Sequence, residues 1–237
     1  QNYRTAAEVQ ARVAVIFCTC MFCGIVALIT VMPVVNGDRP AFYREQQSNM
    51  YRVLFYEIAQ GIVEFPYLAI SSLMFLIPFF FIVGFDKGEV TEKFLWYWGY
   101  QALYVSTAVY QGHLVAVSTS SNEVASVLAG VLNTINSLFC GFFIASEHIP
   151  TFWKFLYWLS PLHYALEGIV FTQAHDDQTL ITTFTGQKIP AEKFYELAYT
   201  EWSYNNRVKD ITALVAYIVG LRIMTFLALK YMRHQTR

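Results

Sequence analysis

The sequence predicts an all-α membrane protein with five spanning helices and one further helical element that dips into the bilayer. Three observations carry that expectation. Only 14% of the 237 residues are charged and 56% are hydrophobic, whereas about a quarter of a soluble domain is charged. The apolar residues are gathered into runs of about 20, the length a helix needs to cross a hydrocarbon core. The runs are also uniformly apolar, whereas spanning β-strands show segments of about 10 residues in apolar/polar alternation.

The first run, 13–35, carries no charge. The second, 62–83, is interrupted by Glu64, Pro66 and Pro78. The third is 94–117, and the fourth, 124–145, contains Asn133 and Asn136. The fifth, 211–230, has Arg222 near its middle. A sixth stretch, 152–171, is aromatic and holds Pro161, His163 and Glu167. It is too polar and broken to span alone, and such elements are tolerated at membrane depth when buried in protein or lining a cavity. It is therefore read as re-entrant. The segment 36–56 is a polar, basic-aromatic connection, 118–123 a tight polar loop, and 175–209 a long outer loop. The chain begins with Gln1 and shows no signal-peptide pattern, so it is expected to start inside a longer protein.

Several function classes drop out early. A formal net charge of −1 gives no reason to expect nucleic acid as a partner. The sequence contains no G-x-x-x-x-G-K-[ST] phosphate cradle, so no catalytic residue and no bound cofactor are expected on this chain. Cys18, Cys20, Cys23 and Cys140 all lie in apolar runs, which suits packing better than a disulfide framework or a zinc site. Glu167 follows His163 by four residues, a spacing for a helical hydrogen bond or a zinc pair. No third ligand accompanies them, so no metal is expected.

The polar residues inside the spans are the informative ones. Glu57 and Glu64 share a helical face about 10 Å apart along the axis. Intramembrane charges are expensive and should face protein or water. Glu64 and Arg222 are thus candidates for a structural ion pair; a proton relay would need a chain of titratable neighbours. Asn133, Thr134, Asn136 and Ser137 form a belt that either glues helices through hydrogen bonds or walls a cavity. Five spans put the two ends on opposite sides. Setting aside the long 146–210 region, Arg39, Arg44, Arg52, Lys230, Arg233 and Arg237 stand against Arg4, Arg12, Lys87 and Lys93, which leans towards a cytoplasmic tail.

Several stretches resemble the C-terminal membrane domain of pleiotropic-drug-resistance transporters, subfamily G of the ABC exporters. Gly37-Asp38-Arg39-Pro40-Ala41-Phe42-Tyr43-Arg44-Glu45 is similar to the family's ER-x-x-FYRE signature. Met50-Tyr51 and Glu64-Phe65-Pro66-Tyr67 resemble its MY and E-x-PY motifs. Gly141-Phe142-Phe143-Ile144, Ile149-Pro150, Trp153, Tyr157-Trp158 and Pro161 resemble GF-x-I, IP-x-FW and YW-x-x-P, and 233–237 resembles the terminal tail. Two departures stand out. The last outer loop has neither Cys nor an N-x-S/T sequon, and Ser160 precedes the proline where many members have Asn or Asp.

The resemblance implies a six-span domain whose first span is absent here. It implies a plasma-membrane protein with a cytoplasmic C-terminus, working with a nucleotide-binding domain and a second membrane domain. ATP and Mg would be bound elsewhere in the full protein, and a hydrophobic small molecule or lipid would be exported. Arg39, Phe42, Arg44 and Glu45 would carry the contact to the nucleotide-binding domain. Cys23, Val26 and Ile29 would face Thr134 and Ser137 across a substrate cavity, with Phe142 and Phe143 as an exit gate. Two other classes stay open. A passive channel or secondary transporter needs a polar, ionisable lining, and the spans hold only Glu64, His113 and Arg222 as ionisable candidates. A non-transporting scaffold is the other, and a phosphate-binding sequence upstream of Gln1 would separate it from an exporter.

Overall fold

The structure, a computed structural model, describes residues 4–85, 90–144, 146–175, 180–182, 188–199 and 202–232. The long helices are α1 (Ala6–Gln47), α2 (Val53–Val83), α3 (Val90–Ser118), α4 (Asn122–Leu138) and α8 (Arg207–Tyr231). The short ones are α5 (Lys154–Leu159), α6 (Pro161–Ala174) and α7 (Ala191–Ala198).

α1 is longer than its apolar run. The polar connection expected over 36–56 is mostly helix, because α1 continues through Pro33 and Pro40 to Gln47. The continuation opens on the poor helix formers Asn36, Gly37, Asp38 and Pro40, so its helix rests on its inner face being held on neighbouring helices. The true turn is short. Asn49 adopts φ 53°, a left-handed conformation that Asn tolerates better than most residues, and Met50 N–H donates to Glu45 O at 3.2 Å.

α4 is shorter than the run 124–145. Ser121 caps its start by accepting from Val124 N–H, and it ends at Leu138. Gly141 then takes φ +92°, open to glycine and strained for other residues. The 152–171 stretch is not one helix. Ser160 has extended backbone (φ −82°, ψ 115°) and separates α5 from α6. Pro161 begins α6 at a position where its missing N–H is harmless. α6 is buried on every side except at Gln173.

A small sheet departs from an all-α expectation. β1 (Arg4–Thr5) pairs parallel with β2 (Leu180–Thr182), which pairs antiparallel with β3 (Lys188–Pro190). It ties the start of the chain to the 175–209 segment.

α3 sits at the centre, packed on α1, α2, α4, α6 and α8. Its buried residues include Gln101, Ser106, Thr107 and His113. Trp98 Nε1–H donates to Ala69 O of α2 at 3.0 Å, and Tyr100 OH donates to Arg207 O of α8 at 3.0 Å. Among the described residues, Ala6–Gln47, Val53–Val83 and Tyr204–Tyr231 are long and apolar enough to cross a membrane. α3 has the length, but its buried polar residues lower its hydropathy; α4 has only 17 residues.

Candidate functional site

The polar end of α1 forms an elbow with the start of α2. Arg39 turns inward. Its guanidinium donates to Thr119 O at 2.9 Å, to Ala116 O, and to Asn36 Oδ1 at 2.8 Å. Those carbonyls close the C-terminal end of α3, where orphan acceptors and the helix dipole favour a cation. Phe42 is buried against Tyr56, with ring centroids 4.6 Å apart, and packs with Val117, Ala228 and Leu229. Glu45 accepts from Tyr51 OH at 2.7 Å. Burial first, and then the Glu45 carboxylate, hold the Tyr51 phenol above its ordinary range, so it stays a donor. Arg44 is exposed. The four residues therefore divide: Arg39 and Phe42 lock the elbow to the bundle, while Arg44 points away from it.

A buried charge cluster joins α2, α3 and α8. Arg222 Nη1 pairs with Glu57 Oε1 at 2.7 Å, while its Nη2 lies 4.0 Å from Glu64 Oε2. The stronger partner is thus Glu57, seven residues from the expected Glu64. Gly61 lies between the two glutamates, and a Cβ there would meet the Arg222 guanidinium. The absence of a side chain lets Arg222 reach across α2. His113 Nε2 lies 3.0 Å from Glu64 Oε1, and the guanidinium sits 4.3 Å from the Tyr110 ring centroid.

Among the grooves that the described residues form, two bear on the expected cavity residues. The larger, about 710 Å³, is bounded by α3, α4, α5, α6 and α8 and includes Gln111, Asn136 and Tyr217. The smaller, about 450 Å³, runs between α1, α2 and α3. Cys23 and Val26 line the smaller groove; Ile29, Thr134 and Ser137 line neither. Ile29 and Thr134 are exposed. Thr134 Oγ1–H and Ser137 Oγ–H are both used within α4, on Gly130 O and Asn133 O at 2.8 Å each. The structure does not bring the two stripes together within one chain. Ala125 and Ala129 of α4 cluster with Leu28 and Met32 of α1, and Val26 lies about 200° around the helix from Leu28.

Phe142 and Phe143 lie beyond the end of α4, on the bend after Gly141, and not on the last turn of a span. Both rings meet Phe17 of α1. Phe142 stacks on it at 4.7 Å, and Phe143, 60% exposed, meets it edge-on at 5.0 Å. The tail residues 233–237 lie outside the described residues.

Sequence reasoning missed Gln101 on α3, and it paired Glu167 with His163 on α6 without the partners that Glu167 takes near α8. Gln101 is fully buried with Nε2 unpartnered, and its Oε1 accepts from the Cys20 thiol at 3.3 Å. Glu167 Oε1 accepts from Ser203 N–H at 3.0 Å and Asn206 Nδ2–H at 2.7 Å. That fixes the approach to α8, with His163 Nε2 3.6 Å from the other Glu167 oxygen. Among the described residues no group of three His, Cys, Asp or Glu side chains is arranged to hold a metal ion. The four cysteines are free thiols. The signal for Gln101 was present, as one of two amides, with Gln111, in a largely apolar and aromatic helix, but spacing cannot say which neighbour it meets.

Residues 1–174 match the family model described as ABC-2 type transporter. The chain is 29% identical over 219 residues to ABC transporter G family member 42 of Oryza sativa subsp. japonica, covering 92% of this chain and 14% of that protein. It is 32% identical over 156 residues to ABC transporter G family member 40 of Arabidopsis thaliana, covering 66% and 11%. It is 25% identical over 207 residues to pleiotropic drug resistance protein 1 of Petunia axillaris, covering 87% and 14%. The chain spans about one seventh of the length of the curated relatives it matches.

Proposed function

We propose that this chain, which belongs to the ABC-2 type transporter family, is the membrane-spanning part of an ATP-driven exporter of amphipathic small molecules, drugs or lipids. Support comes from relatives whose names are those of G-family ABC transporters and of a pleiotropic drug resistance protein. In this proposal α1, α2, α3, α4 and α8 are five spans of a six-helix domain, and α5–α6 is the re-entrant element. The C-terminus is cytoplasmic, in the plasma membrane. ATP and Mg bind a nucleotide-binding domain elsewhere in the full protein, and a second membrane domain completes the pathway.

The observation that carries the proposal is the continuity of α1. One helix runs from the apolar span into the charged segment ending at Gln47. Its far end is locked to the bundle by Arg39 on α3 and by Phe42 against α2, α3 and α8. A push on the exposed Arg44 side would therefore act on a continuous helix rather than on a loop. Motion driven by nucleotide reaches the spans through this elbow, and the apolar stripes shift between inward and outward exposure.

The test uses Arg44→Ala and Glu45→Ala in the full-length native polypeptide. Both proteins should reach the membrane, and the amount of compound exported per ATP hydrolysed should fall about tenfold or more. Normal export by both would remove the elbow from the mechanism.

A further inference from the structure

A carboxyl group without a partner stands at the start of α8. Asp210 is 0% exposed, and neither of its oxygens has a hydrogen-bond partner. It lies in the first turn of α8, just ahead of the apolar run 211–230, where the helix packs on α3 and α6.

The titratable and charged groups that face Asp210 leave it unpaired. From α6 come Glu167 and Tyr164, from α3 Tyr100, and from α8 itself Lys209. Lys209 Nζ is placed over the Trp158 ring at 4.7 Å, and the Arg207 guanidinium over the Tyr204 ring at 4.5 Å. The Tyr164 and Tyr100 hydroxyls donate elsewhere, to Trp158 O at 2.9 Å and Arg207 O at 3.0 Å. Glu167 is a second acid, 1% exposed, and its Oε1 accepts from Ser203 N–H and Asn206 Nδ2–H. Those two donors hold Glu167 as the anion. His163 Nε2 is 3.6 Å from the other Glu167 oxygen, so its ring serves Glu167 whichever form it takes. An ionised Asp210 would therefore be a buried charge beside a like charge. The dipole of the helix start favours an anion, but by far less than burial of an unpaired carboxylate costs. Where two acids are neighbours and one is held ionised, the other takes the proton.

We propose that Asp210 is a proton-binding site, and that the proton it holds beside the Glu167 carboxylate lets the first turn of α8 seat against α6 and α3. The proton removes a charge that has no cation and turns one oxygen into a donor. Its loss returns the charge, and the first turn of α8 loosens from α6 together with Ser203 and Asn206. A buried acid that is neutral in the folded state binds more protons there than in the open state. Protection of this turn is thus full at acid pH and falls as pH rises. The site does not depend on whether the chain exports anything.

The experiment measures amide hydrogen exchange of residues 203–214 in the full-length native polypeptide in lipid nanodiscs. Proteins are compared at equal pH, which cancels the intrinsic pH dependence of exchange and leaves the opening equilibrium. Asp210→Asn keeps the shape of the acid in a neutral form, while His163 and Lys209 titrate in both proteins. At about pH 5 the variant should exchange within about twofold of the unmodified protein. At about pH 9 it should exchange about tenfold or more slowly, since each pH unit past proton release is worth a factor of ten. Glu167→Gln removes the neighbouring charge, so protection should be lost about one pH unit or more lower. A stabilising anion at Asp210 would give the opposite sign, with the Asp210→Asn variant exchanging faster as pH rises. That result overturns the proposal, as does equal exchange at every pH. Should Asp210→Asn not reach the membrane, Glu167→Gln decides, because loss of protection at an unmoved pH also overturns it.

Discussion

α2 and α3 are nearly equal in length and lie against each other, yet α3 buries far more of its residues than α2 does. α2 buries only Glu57, Ser72, Leu76 and Phe80, and exposes Leu54, Phe55, Ile58, Ile62, Val63 and Phe65. α3 buries Gln101, Ser106, Thr107 and His113 along with its tyrosines. In water the more apolar helix would go inside. Here the surround is hydrocarbon, which accepts leucine as readily as a protein core does, so association is driven by packing and by polar groups seeking partners. The less apolar helix therefore takes the centre, and the apolar helix meets lipid with its polar minority turned inward. Glu57 is the plainest case: a buried carboxylate on the helix with the most exposed apolar surface, because Arg222 is behind it.

The contrast can be broken most severely at that ion pair. Arg222→Met leaves the buried Glu57 and the half-buried Glu64 without their guanidinium, and removal of one partner of a buried pair costs about 3 to 5 kcal/mol. The protein should lose thermal stability and membrane level, and Arg222→Met with Glu57→Gln should recover part of it. Unchanged melting of the single variant in detergent would mean that the cluster is solvated and that α2 is not held by it.

A smaller effect tests what α2 faces. Ile62 is 68% exposed on α2. If that face meets lipid, Ile62→Arg should lower insertion, by about 2.5 to 3.5 kcal/mol near the bilayer centre on translocon scales. Ile62→Leu should be silent. Full insertion of Ile62→Arg, measured by glycosylation mapping, would place this face against water or another protein.

The smallest effect sharpens the comparison by making one deletion on both helices. Val109 of α3 is 5% exposed and Val63 of α2 is 59% exposed. Val109→Ala should cost about 1 to 2 kcal/mol through lost packing, and Val63→Ala should stay within about 0.5 kcal/mol. Thermal unfolding of the two variants in the same detergent checks this. Equal losses would argue that α2 is covered in the working assembly.

Much of the architecture was legible in the chain itself. The apolar runs located α1, α2 and α8, and Pro161 was among the residues that marked 152–171 as broken, though not where α5 and α6 divide. The family motifs at 37–45 and 141–161 agree with the match over residues 1–174. Other features were not legible, and for identifiable reasons. Polarity at 36–47 read as a loop, since composition does not reveal that Arg39 would find the carbonyl ends of α3. Gly141 fell inside the apolar run 124–145, whereas its φ of +92° turns the chain out of the helix.

By itself the sequence determined that this is a helical membrane domain of the ABC-2 type, because apolar run length and motif order are properties of the linear chain. It also determined that charges inside the spans would need partners, because burying a charge in lipid is costly wherever it falls. Only the tertiary structure decided which partners they take. Arg222 lies against Gly61 and pairs with Glu57 at 2.7 Å rather than with Glu64, and His113 meets the remaining glutamate. The stripes on α1 and α4 each have helical periodicity, but periodicity sets only which residues share a face. The rotation of α1 that turns Val26 towards α2 and α3, and Leu28 towards α4, is set by packing among several helices at once.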